Sequence, residues 1–122
     1  MNRGGAILRG MQGLCNLFAS HCSDTSTLDE LSALLADEDS WPKAHKLFQR
    51  IRHKALIAER EKNAVLAAQY FFEEVCAKTI YNLSGEFAPF DADSPYWVVP
   101  NALALARQLN IDDDEVLRLV AA

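Results

Sequence analysis

Apolar residues Ile7, Met11, Leu14 and Phe18, joined by Leu8, Cys15 and Cys22, recur at the spacing of one helix face and predict a first amphipathic helix to about His21. Thr27 and Glu30 have the form of a capping box. Behind them Leu28, Leu31, Leu34 and Leu35 supply the face of a short second helix, which Asp37, Glu38 and Asp39 end. Ser40 is placed to cap the next helix, with Pro42 in its first turn, where a missing N–H is harmless. No Gly or Pro follows until Gly85. An unbroken helix over that span would run about 65 Å, whereas a compact chain of this length has a radius of gyration of ~14 Å. The pattern therefore predicts a bend near Glu59 to Asn63, in preference to an extended dimer.

Before the bend, Ala44, Leu47, Phe48, Ile51, Ala55 and Ala58 share one face. After it, Val65, Leu66, Ala68, Phe71, Phe72, Val75, Cys76, Thr79 and Ile80 cover most of the circumference, as a central helix packed on several sides requires. Gly85 fits a C-cap, Glu86 to Asp93 reads as irregular, and Ser94 caps a turn that begins at Pro95. Pro100 is expected to open a helix from Asn101 to Leu109, and Asp112 to Glu115 place negative charge on the N-terminus of a last helix ending near Val120. The expected architecture is a single all-α domain over residues 1–122, a bundle of five to six helices around a long central one.

At 122 residues the chain can bury a core without disulfide or metal staples. Arg9 and Gln12 interrupt the early apolar stretch, so no secretory leader is expected, and no apolar run approaches a bilayer span. A cytoplasmic protein off the membrane is the consequent expectation. Three cysteines cannot all pair, and Cys15 and Cys22 are about 10 Å apart if helical. Buried thiols in a reducing compartment are expected.

The net charge of −5 is unevenly spread. Residues 1–40 carry two basic and six acidic groups, residues 41–62 seven and two, and residues 63–122 three and nine. Of the known catalytic signatures, G-x-S-x-G, the P-loop, G-x-G-x-x-G and H-E-x-x-H do not occur. The histidines lack the spacing of ligand pairs, and Asp91 and Asp93 lack the remaining ligands of a calcium loop. Glu73 and Glu74 are adjacent, point about 100° apart and read as a solvated face rather than a catalytic pair. Neither enzymatic activity, cofactor nor metal is expected.

The functional expectation is a small acidic protein-binding module of the immunity or antitoxin kind, covering a basic toxin such as a nuclease. Glu86, Phe87, Phe90, Asp91, Asp93, Tyr96 and Trp97 are the candidate contacts, because aromatics set among acids suit an interface to a basic partner. The same aromatics could instead fold the loop back onto the core. An alternative is a self-associating structural or adaptor protein, a homodimer packed through alanines 55, 58, 64, 67 and 68. Nucleic-acid binding through the basic segment 43–54 ranks lower, since Asp112 to Glu115 would oppose phosphates at the start of a recognition helix.

Overall fold

The computed structural model describes residues 5–84 and 94–121, the side chains of residues 5–7 and 94–96 excepted. Six α-helices run through them: α1 (Gly5–Ala19), α2 (Ser26–Ala36), α3 (Ala44–Arg60), α4 (Ala64–Leu83), α5 (Ser94–Gln108) and α6 (Asp113–Ala121), with a 3₁₀ segment, Glu38–Lys43, between α2 and α3. No strand occurs among the described residues, and the protein is the all-α bundle its periodicity predicts. No described helix is long and apolar enough to cross a membrane.

The centre is α4, packed against α2, α3, α5 and the 3₁₀ segment. On the other side α1 lies on α2, α5 and α6, burying Met11, Leu14, Cys15 and Phe18 at helical spacing. Phe18 meets Phe72 of α4 edge-on, with ring centroids 5.0 Å apart and planes at 77°, the geometry aromatic quadrupoles prefer. Gly10 and Gly13 let α1 approach α6: a Cβ on Gly10 would stand 3.5 Å from Val120 Cα, and one on Gly13 only 3.0 Å from Leu119 Cδ2.

The bend expected near residues 59–63 is a full reversal. Arg52 lies 4.0 Å from Glu74, and His45 stacks on Tyr81 at 4.8 Å. Both pairs are symmetric about Asn63, which sets α3 and α4 antiparallel. The reversal is a Schellman motif: Lys62 takes a left-handed φ of 57°, Lys62 N donates to Glu59 O and Asn63 N reaches back to Ala58 O at 2.9 Å. Asn63 Oδ1 then accepts from Leu66 N to cap α4. The α5–α6 turn repeats the device, with Asn110 at φ 59° and Ile111 N on Ala106 O.

Several local expectations are corrected. Thr27 does not cap α2; it is buried inside a helix that begins at Ser26, and Glu30 pairs with Arg50. Ser40 caps no helix but donates to Asp37 O, since Pro42 sits in the 3₁₀ segment and α3 starts only at Ala44. Pro100 does not open a helix. It lies within α5, which starts at Ser94, and beside it Asn101 Nδ2 donates to Trp97 O at 2.7 Å, an extra bond on the turn where the proline has no N–H. Gly85 lies outside the described residues.

A non-glycine residue in the left-handed region costs about 1–2 kcal/mol, partly offset by the chain entropy glycine would lose. Lys62→Gly should therefore raise stability by roughly 0.5–1 kcal/mol, measured as a higher urea midpoint; a lower midpoint would contradict the turn geometry.

Candidate functional site

The site begins with the short α1–α2 connection, which is tied down by polar bonds. Asp24 Oδ2 accepts from the Tyr70 hydroxyl at 2.6 Å and from Lys54 Nζ at 3.2 Å, and Oδ1 accepts from Ser26 N and Oγ. The Asp24 carbonyl accepts from Gln69 Nε2 at 2.7 Å. One residue thus joins α2, α3 and α4.

The Tyr70 hydrogen bond, with those from Ser26 and Lys54, holds the Asp24 carboxyl well below its ordinary range against partial burial. Burial and the facing Asp24 push the Tyr70 phenol up, keeping it a donor.

Behind Asp24 the network enters the core. Gln69 Nε2 also donates to Glu73 Oε2 at 2.7 Å, and neither side chain is exposed to solvent at all. The solvated face expected for Glu73 and Glu74 is thus wrong for Glu73, because α4 is covered on the side that carries it. Burial pushes the Glu73 carboxyl up to about 7, against the favourable effect of Thr27 and Gln69. Thr27 Oγ1 stands close enough to favour the charged form but outside hydrogen-bond geometry, and Glu73 Oε1 and Gln69 Oε1 have no hydrogen-bond partner. Glu74 is half-buried and reaches toward Arg52.

The three cysteines are free. Burial, with Glu73 nearby, pushes Cys15 to about 12 and Cys22 to about 11, and burial likewise holds Cys76 well above the ordinary thiol range, so all three remain protonated thiols.

This anchoring places α2 beside α3, and between them and the 3₁₀ segment lies a groove of about 660 Å³. Its floor is apolar: Leu34 and Leu47 are buried beneath it, with Ala33 and Pro42 at its sides. Glu30 and Asp37 stand on the α2 side, and Lys43, Lys46 and Arg50 on the other. Arg50 closes one end on Glu30 at 2.7 Å. Beyond it, Lys46, Gln49, Arg50, His53 and Lys54 line a shallow depression that continues along α3. The side chains of Lys43, Lys46 and His53 make no hydrogen bond or ion pair among the described residues, whereas Lys54 is taken by Asp24.

Of the residues singled out from the sequence, Glu86, Phe87, Phe90, Asp91 and Asp93 lie outside the described residues, as does the Tyr96 side chain. Trp97, near the start of α5, is 58% exposed, so it does not fold back onto the core. Of the five seam alanines, Ala55 and Ala58 are buried within the chain, on the face α3 turns toward its neighbours, whereas Ala64 is exposed and Ala67 and Ala68 are half-buried. Among the described residues no three His, Cys, Asp or Glu side chains converge as metal ligands.

Sequence reasoning missed Asp24, Gln69 and Tyr70 and misread Glu73. Gln69 and Glu73, four residues apart inside an otherwise apolar run, were the available signal. No known family, curated protein or solved structure matches this chain.

Asp24 is ionised further down the pH scale in the folded chain than in the unfolded one. The native state therefore binds fewer protons, and this stabilisation is complete above about pH 4 and lost as pH falls. At neutral pH Asp24→Ala should cost about 1–2 kcal/mol, the low end for charge-assisted bonds because Asp24 is partly exposed. Urea titrations should find the gap between variant and wild type closing below pH 4; a gap independent of pH would place the stabilisation elsewhere.

Proposed function

We propose that this chain is a protein-binding module that docks its partner in the α2–α3 groove. The observation that carries this reading is the pairing of an apolar floor, Leu34 and Leu47 with Ala33 and Pro42, with a cationic wall in which Lys43 and Lys46 are not neutralised among the described residues. A groove of that kind fits the apolar face of an amphipathic helix, laid so that its carboxylates meet α3. The basic side chains run from Lys43 to His53, about 15 Å of helix axis, which matches three turns of such a helix.

A second reading keeps the acidic, aromatic segment as the contact surface, in an inhibitor of the immunity or antitoxin kind that covers a basic partner. Its specific support is Trp97, a large aromatic side chain exposed at the start of α5.

The two readings separate with two surface substitutions. Ala33→Arg fills the groove from an exposed position, and Trp97→Ala removes the aromatic. Partners retained by the wild-type protein from its own cells, quantified by mass spectrometry, should bind Ala33→Arg at least about tenfold more weakly, or 1.4 kcal/mol, while Trp97→Ala retains them. Loss on Trp97→Ala alone would transfer the function to the second surface, and full retention by both variants would overturn both readings.

A further inference from the structure

We propose that the Glu73 carboxyl is a proton-operated latch that sets how firmly the α1–α2 connection, and α2 behind it, is seated on α4. This rests on the buried polar cluster and does not depend on what the groove binds.

The geometry is that of a charge site short of partners. Glu73 is completely buried, and its Oε2 accepts from Gln69 Nε2, the same amide that holds the Asp24 carbonyl. Its Oε1 has no hydrogen-bond partner, and the Thr27 hydroxyl in the first turn of α2, near the same carboxyl, has none either. A protonated Glu73 adds a donor to this cluster and can be satisfied by Thr27. An ionised Glu73 adds a buried negative charge instead. The groups facing it do little to neutralise that charge: from α1 and the connection come Cys15, Cys22 and Asp24, and from α4 itself Tyr70 and Cys76. Lys54 of α3 is the cation among them, and it is already bonded to Asp24.

The cheapest way to hydrate an ionised Glu73 is through its thinnest cover. Toward α1 stands Cys15, fully buried, with Phe18, equally buried, packed on the adjoining Phe72. Toward the connection it is covered by Cys22 and Asp24, both partly exposed, with Ser23 exposed between them. Lifting that segment breaks the bonds that Gln69, Tyr70 and Lys54 make to Asp24 and lets water reach the carboxylate.

The direction in pH follows. Burial raises the carboxyl from 4.5 to about 7 in the closed form, so the seat is firm below the lower value and loosens as pH rises between the two. Hydrogen exchange of the residue 22–28 amides, corrected for intrinsic rates, should report at least about a tenfold increase in opening from pH 5 to pH 7. In Glu73→Gln, which keeps the shape without the charge, opening should not change with pH. That variant retains His21 in the same connection, so a histidine effect would survive in it, and an identical pH profile in both proteins overturns the latch. Should Glu73→Gln fail to fold, carbon NMR titration of the wild-type Glu73 carboxyl decides. A midpoint near 7 shared by the 22–28 amides supports the latch, and a midpoint below 5, or amides that do not follow the carboxyl, overturns it.

Discussion

The carboxylate of Asp24 is the point on which the arrangement of helices turns. It takes bonds from Lys54 of α3, Tyr70 of α4 and Ser26 of α2, while its carbonyl takes Gln69. Apolar packing alone is tolerant of sliding, because leucine faces exchange one contact for another at little cost. A carboxylate with directed donors on three helices is not, and it fixes α2 against the α3–α4 hairpin. The two acids of the cluster divide the work by depth. Asp24, near water and rich in donors, stays charged, whereas Glu73, sealed behind it, is held toward its neutral form. Neither environment would suit the other residue's role.

The groove inherits its shape from that anchor. Its visible ionic link, Arg50 to Glu30, joins two well-exposed side chains, and such pairs contribute little. What holds the walls apart at a set distance is the Asp24 cluster at one end of α2 and the 3₁₀ segment, with buried Trp41, at the other. The surface chemistry can therefore vary along Lys43, Lys46 and His53 without loosening the scaffold that presents it.

The legible part of the fold was the apolar periodicity. The α3 stripe from Ala44 to Ala58 is buried nearly as spaced, and the central role of α4 follows from apolar residues on every side. Helix ends were harder, because the chain uses residues that do not advertise them. Lys62 and Asn110 occupy left-handed positions where glycine would have signalled a stop, and a reversal at Asn63 therefore reads as a bend. Pro100 is an ordinary helix-opening signal that the structure places inside α5. Of the site, the basic character of segment 43–54 was readable, but the groove beside it needs two helices brought together. Glu73 was misread because charge in a helix usually means solvent, and only tertiary contact reveals which side is covered.

The packing of α1 on α6 has a consequence for how the chain is made. Gly10 rests against Val120, so the face of α1 that Gly10 and Gly13 leave open is covered by residues synthesised about 100 positions later, roughly 5–20 s at ordinary elongation rates. The α3–α4 hairpin, by contrast, pairs neighbours across a three-residue turn and can form as soon as α4 emerges. A ribosome thus carries a hairpin that is already paired and a first helix still waiting for its cover. During that interval the side of α1 that α6 will cover stays open to other molecules.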